Sequence, residues 1–178
     1  MNIPLTASPR IVIIGAGFAG ISLAKNLNHL DAQIVLLDKH NYHNFQPLMY
    51  QVATGCLDAG SIAYPIRKIF QSYDDFYFRM SAVQSIDTHS QKIHSDIGEL
   101  FYDYLIIATG SKTNFFGNKE MERNAMSMKT IPQTLNIRSL ILENFEQAVL
   151  AHSETDQNSL MNFVLVGAGP TGVELAGA

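Results

Sequence analysis

Gly15-Ala16-Gly17-Phe18-Ala19-Gly20 follows directly on the β-branched run Ile11-Val12-Ile13-Ile14, and residue types in that order are suited to holding a diphosphate. Gly15 permits a tight turn, Gly17 lets the backbone approach a pyrophosphate, and Gly20 lets a helix pack closely on a strand. Phe18 and Ala19 open that helix, whose first N–H groups and positive dipole end favour negative charge. Asp38 stands 18 residues after Gly20 at the end of a second apolar run, with Lys39 beside it. A carboxylate there can accept hydrogen bonds from a ribose hydroxyl and repels a 2′-phosphate. The pattern therefore predicts a non-phosphorylated dinucleotide held by Gly15, Gly17, Phe18, Ala19, Gly20, Asp38 and Lys39, in preference to a glycine-rich surface turn.

The pattern recurs. Phe163-Val164-Leu165-Val166 is followed by Gly167-Ala168-Gly169-Pro170-Thr171-Gly172-Val173-Glu174. Pro170 suits a first helical turn, because its missing N–H has no partner to lose there. Gly167, Gly169, Pro170, Thr171 and Gly172 thus predict a second dinucleotide site. Six residues follow Gly172, so the return strand that would carry the second ribose-reading acid falls outside the chain. Strand 163–166 without its sheet is expected to swap, self-associate or fray. Glu174 alone reads as a surface helix glutamate.

Elements must place these groups. A strand at 11–14, a helix over Phe18 to Leu30 and a strand at Gln33 to Asp38 form a βαβ unit of roughly 28 residues. Ser61 to Phe70 is predicted helical. Three strands near Phe76 to Ile86, Lys92 to Ile97 and Tyr102 to Ala108 are predicted to form an antiparallel meander. The recurrence of Ile137, Leu140, Ile141, Phe145, Ala148 and Val149 predicts a long amphipathic helix from about Gln133 to Ala151. His152 to Ser159 reads as a loop. The fold class expected is α/β: a Rossmann-like three-layer fold with an antiparallel meander, then the start of a second Rossmann-like domain.

Composition narrows the function. The charge of −4 and the absence of a Lys/Arg cluster argue against nucleic acid as a partner. Cys56 is the only cysteine, which excludes an internal disulfide, a CxxC pair or a thiolate metal cage. No metal site is expected, and His40 and His43 read as caps of neighbouring elements. The apolar stretch from Ile11 to Ile21 contains three glycines and is too short to cross a bilayer. The start of the chain reads as native and cytoplasmic.

The stretch from His40 to Gly55, HNYHNFQPLMYQVATG, has no clean period yet is rich in aromatic and apolar groups. With Ile62-Ala63-Tyr64-Pro65-Ile66-Arg67 after it, it resembles the signature of type II NADH:quinone oxidoreductases. The resemblance covers essentially the whole chain. It implies that the segment runs along the flavin of an FAD, with Gln46, Gln51 and the backbone of Val52 and Ala53 beside the isoalloxazine ring. Ala108-Thr109-Gly110, after Tyr104 to Ile107, resembles the segment that closes over FAD in two-dinucleotide flavoproteins, and Val83 matches the position meeting adenine through its backbone.

The same resemblance implies an FAD-binding domain over 1–112 and the opening of an NADH-binding domain over 113–178. It places Glu174 where nicotinamide meets flavin. The activity implied is hydride transfer from NADH to FAD and passage of two electrons to a quinone, with residues 1–178 alone expected to turn over little. The intact protein is expected on the cytoplasmic face of the inner membrane, held peripherally by a carboxy-terminal part beyond residue 178, and a homo-oligomer is compatible with it. Rivals on the same fold are sulfide:quinone and ferredoxin reductases; disulfide reductases need a cysteine pair where Cys56 stands alone. A rival of another class is a non-catalytic flavin- or nucleotide-binding module.

Overall fold

The computed structural model describes residues 1–178 and contains two compact units, 1–43 with 64–111, and 44–63 with 112–178.

In the first unit, strands β1 (Arg10–Ile14) and β2 (Gln33–Asp38) are buried along almost their whole length, as strands covered on both faces must be. Helix α1 (Phe18–Asn26) joins them in parallel, with Ile11 opposite Ile34 and Ile14 opposite Leu37. The chain then forms short strands β3 (Tyr42–Asn44) and β4 (Ala63–Pro65), which pair with each other. Between them lies helix α2 (Met49–Ala53), and after them helix α3 (Ile66–Ile69). Strand β5 (Phe76–Met80) adds in parallel beside β2. Strands β6 (Val83–Asp87), β7 (Lys92–Ser95) and β8 (Gly98–Phe101) form an antiparallel meander, and β9 (Tyr104–Ile107) returns to pair in parallel with β1. The parallel sheet has the order β5-β2-β1-β9.

Strand alternation sorts the core into two faces. Ile11, Ile13, Ile34, Leu36 and Phe78 pack with Ile21 and Ala24 of α1, Ile66 of α3 and Phe70. Val12, Ile14, Val35 and Leu37 face the other way, onto Ile93 and Leu100 of the meander and Tyr102. Helices, parallel sheet and meander are the three layers that the α/β expectation requires. Each side chain of this size contributes about 1.5–3 kcal/mol on burial.

At the amino-terminal ends of the strands, the buried Arg10 guanidinium donates to Gln33 Oε1 at 2.6 Å, to the Pro4 carbonyl at 2.8 Å and to the Phe101 carbonyl at 3.3 Å. These bonds tie the amino-terminal arm and the end of β8 to the sheet, and they satisfy a charge that burial would otherwise penalise.

In the second unit, Met49 and Val52 of α2 pack with Ile62, Met128 and Ile131. Helix α4 (Lys119–Asn124) starts at Asn118, whose side chain accepts from the Met121 N–H. Helix α5 (Ile131–Leu150) begins in a capping box: Gln133 N–H donates to Thr130 Oγ1, and Thr130 N–H to Gln133 Oε1. Helices α6 (Glu154–Met161) and α7 (Pro170–Gly177) follow. Helix α2 packs on both α5 and α7. No helix is long and apolar enough to cross a membrane.

Several expected elements differ. The expected helix at Ser61 to Phe70 is a 3-10 turn, strand β4 and the single turn α3, because Pro65 disfavours helical backbone at Tyr64. The three expected strands are five. The run 76–86 breaks at Ser81, whose N–H donates to the Asp38 carbonyl at 2.7 Å. Its first half and the 104–107 strand join the parallel sheet, and the meander lies between them. The expected loop at 152–159 is largely α6, capped by Ser153 through the Asp156 N–H. Helix α1 ends at Asn26 rather than Leu30. Phe163 to Val166 forms no ladder; Val164 is 88% exposed, while Phe163 packs edge-on against Phe145 with ring centroids 6.0 Å apart.

Candidate nucleotide-binding turns

The order β5-β2-β1-β9 means that the chain leaves β1 toward β2 and later returns on its other side. The carboxyl ends of β1 and β9 therefore form the topological switch point, where α/β sheets bind ligands. Gly15 and Ala108 stand at those two ends, joined by an Ala108 N–H bond to the Ile14 carbonyl at 2.8 Å.

The three glycines are demanded to different degrees. Gly15 has φ +106°, and a Cβ on it would lie 2.3 Å from the Ala108 carbonyl oxygen. A Cβ on Gly20 would lie 1.8 Å from the Gly15 carbonyl oxygen, so helix and turn touch there backbone to backbone. A Cβ on Gly17 would meet no heavy atom within 4 Å. Folding thus accounts for Gly15 and Gly20 but not for Gly17, whose Cβ position is open. Gly17 is also the N-cap of α1 and offers no side-chain cap to that helix end, the kind of terminus that favours an anion.

Asp38 closes β2 beside this turn. Its Oδ2 accepts from the Ala16 N–H at 2.7 Å and its Oδ1 from the His40 N–H at 2.8 Å. The carboxylate is half-buried, and each oxygen retains acceptor capacity for a sugar hydroxyl. Lys39 is exposed next to it, as are Phe18 and Ala19 at the head of α1. Val83 begins β6 two residues after Ser81, the residue bonded to the Asp38 carbonyl. Thr109 and Gly110 are exposed beyond β9, with Gly110 at φ +69°. The first unit therefore gathers Gly15, Gly17, Phe18, Ala19, Gly20, Asp38, Lys39, Ala108, Thr109 and Gly110 around the carboxyl end of its sheet.

In the second unit the other glycine turn has the same internal geometry. Gly167 has φ +119°, a Cβ on Gly172 would lie 2.2 Å from the Gly167 carbonyl oxygen, and a Cβ on Gly169 would meet nothing within 4 Å. The N-cap torsions agree: φ −74° and ψ −166° at Gly17, φ −75° and ψ 174° at Gly169. Pro170 occupies the first turn of α7, followed by Thr171, and Glu174 is exposed on that helix. Within the same unit Gln46 is exposed in a 3-10 turn, and Gln51 Nε2 donates to Tyr50 Oη at 3.0 Å. Val52 and Ala53 turn their side chains into the core, leaving their backbone as the part a ligand could meet.

Sequence reasoning missed the contact of His43 with Ala16 in the first turn and that of Ser81 with Asp38. His43 Nδ1 lies 3.1 Å from the Ala16 carbonyl oxygen, and its ring packs edge-on against Phe18 with centroids 5.1 Å apart. A cavity of about 130 Å³ lined by Leu5, Thr6, Ser8, Arg10, Phe101, Tyr102 and Asp103 lies at the opposite end of β1 and belongs to the amino-terminal arm.

Comparison with known proteins agrees with this geometry. Residues 9–178 match the model of the pyridine nucleotide-disulphide oxidoreductase family. The chain is 42% identical over 172 residues to the type II NADH:quinone oxidoreductase NdhA of Mycobacterium tuberculosis, a match covering 94% of this chain and 37% of that protein. It superposes on NDH2 from Plasmodium falciparum with a TM-score of 0.85 at 27% identity, over 94% of this chain and 36% of that one. On the sulfide:quinone oxidoreductase of Aquifex aeolicus the TM-score is 0.69 at 29% identity, over 78% of this chain and 33% of the other. The chain spans about a third of each relative's length. With the doubled glycine turn, the parallel sheet and a match over nearly every residue, this chain belongs to the pyridine nucleotide-disulphide oxidoreductase family.

Proposed function

We propose that the chain carries the FAD site and the first part of the NADH site of an NADH:quinone oxidoreductase. The observation that carries this reading is the pair of turns, each with its outer glycines in backbone contact and its middle glycine open. One turn would hold the diphosphate of FAD on Gly15, Gly17, Phe18, Ala19 and Gly20, with Asp38 on the adenosine ribose. The other would hold that of NADH on Gly167, Gly169, Pro170, Thr171 and Gly172. When bound, FAD supplies the capacity to take a hydride from NADH and to release two electrons singly or together. The side chains and backbone named here bind and orient the two dinucleotides and exclude water.

Residues 1–112 are read as the FAD domain and 113–178 as the opening of the NADH domain. The packing of α2 on α7 supports placing Gln51, Val52 and Ala53 near Glu174, where flavin and nicotinamide would meet. Val83, Lys39 and Ala108 to Gly110 complete the proposed FAD contacts. Quinone reduction, peripheral attachment to the cytoplasmic face of the inner membrane and any self-association are assigned to the intact protein. The 42% identity to an NADH:quinone oxidoreductase over nearly the whole chain favours this acceptor over sulfide chemistry. Calorimetric titration of the intact protein with FAD, followed by NADH bleaching of the bound flavin and quinone-dependent reoxidation, tests the reading. Absence of FAD binding overturns it, and FAD binding without NADH bleaching marks a non-catalytic flavin module.

A further inference from the structure

We infer that His43 is a positioning residue for the diphosphate-binding peptide, acting through the backbone of Ala16. The inference rests on the reading of the first turn as the FAD cradle.

Ala16 is held at both of its polar backbone groups. Its N–H donates to Asp38 Oδ2 at 2.7 Å, and its carbonyl oxygen lies 3.1 Å from His43 Nδ1. A carbonyl oxygen can only accept, so Nδ1 must carry the proton, and the ring is the Nδ1–H tautomer or the imidazolium. The peptide between Ala16 and Gly17 is trans, so its C=O and N–H point in opposite directions in one plane. Fixing the carbonyl therefore fixes the direction of the Gly17 N–H at the mouth of α1.

The glycines leave this peptide in need of such a clamp. Gly17 has neither a side chain nor a neighbour within 4 Å of its Cβ position to restrain it. His43 is itself restrained. Asp38 Oδ1 turns the chain at His40, the His40 ring stacks on Tyr42 with centroids 5.3 Å apart, and β3 carries His43 back over the turn. The edge of Phe18, the first residue of α1, sets the ring plane. Asp38 and His43 thus grip one residue from two sides, so that an N–H group is already aimed before the anion arrives. Pre-aimed donors gain affinity by removing the ordering cost of binding.

The test uses the intact protein as wild type, His43→Leu and His43→Asn. Asn places an amide N–H two bonds beyond Cβ, as His places Nδ1, whereas Leu keeps bulk and loses the donor. Long-range ¹H–¹⁵N correlation of the histidine rings reports the tautomer without ligand, and calorimetry reports FAD affinity. The expected results are an Nδ1-protonated ring, FAD affinity about tenfold lower in His43→Leu, and affinity within roughly threefold of wild type in His43→Asn. A ring protonated only at Nε2 overturns the inference. So does FAD binding undiminished in His43→Leu, or affinity in His43→Asn as low as in His43→Leu. If wild type binds no FAD, the reading of the turn fails and this inference fails with it, an outcome distinct from the other three. Should His43→Leu not fold, the tautomer and the His43→Asn affinity decide.

Discussion

Replacing Gly17 and Gly20 separately by alanine should divide ligand binding from folding within one hexapeptide. At Gly20 the new methyl carbon would stand 1.8 Å from the Gly15 carbonyl oxygen. An ordinary carbon–oxygen contact is ~3.3 Å, so α1 must retreat from the turn by more than an ångström. Overpacking of that kind costs about 3 kcal/mol or more when the obstacle is backbone, which lowers the melting temperature of a unit this size by roughly 10 °C or more. At Gly17 the methyl would meet nothing within 4 Å, and the torsions φ −74° and ψ −166° suit any residue. Alanine there stiffens the unfolded chain by about 0.4–1 kcal/mol and gives up a similar amount as a poorer N-cap. Gly17→Ala should therefore melt within a few degrees of wild type. Yet its methyl occupies the space a diphosphate must enter, so FAD affinity should fall roughly 10- to 100-fold. Calorimetric melting and FAD titration on the same samples give both readouts. Equal destabilisation by the two substitutions, or full FAD affinity in Gly17→Ala, would refute the reasoning.

Three further outcomes follow from the same contacts. Asp38→Asn leaves one acceptor oxygen for two backbone donors, Ala16 and His40, so it should cost about 1–3 kcal/mol in stability and weaken FAD binding, as chemical denaturation and titration will show. Arg10→Met removes the donor to Gln33, Pro4 and Phe101 and leaves the buried Gln33 Oε1 unpaired; denaturation should register a loss of about 2 kcal/mol or more. The Ser81 hydroxyl foremost holds the Asp96 carboxyl below the usual carboxylate range; Lys92 does so for Glu99, and the Ser90 hydroxyl for Asp87. Because each native pKa is lowered, the stabilisation is complete above the ordinary carboxylate range and is lost as pH falls through the lower native values. Amide protection in β6 to β8, taken relative to the intrinsic exchange rate at each pH, should fall on acidification below about pH 4, and Ser81→Ala should remove the Asp96 share; protection independent of acid would contradict the assignment.

What could be read from residues alone was local. The run Ile11 to Ile14, the glycine turn, α1 and the strand ending at Asp38 carry their structure in spacing, and the structure reproduces them with small shifts of boundary. Partner choice was not local. Phe76 to Met80 and Tyr104 to Ile107 read as strands, but only the crossover places them in the parallel sheet rather than the meander. Two misread segments did carry legible signals: Pro65 against a continuous helix over 61–70, and Ser153 with Asp156 three residues later for the start of α6. The apolar run 163–166 reads as a strand, yet a strand needs a neighbour and none is paired with it. At the site, the roles of Gly15 and Gly20 were legible because backbone contact dictates them. The contact of His43 with Ala16 spans 27 positions and exists only after β3 has folded back.

The second glycine turn adopts the shape of the first with no sheet hydrogen-bonded to the residues before it. Its form therefore needs no sheet beside it and rests on a few consecutive residues with their helix packed on α2. A short peptide spanning such a turn and its helix, grafted ahead of an unrelated helix in a designed protein, should carry that shape with it. Recognition of this kind could then spread between architectures as a transferable part, with the surrounding framework free to diverge.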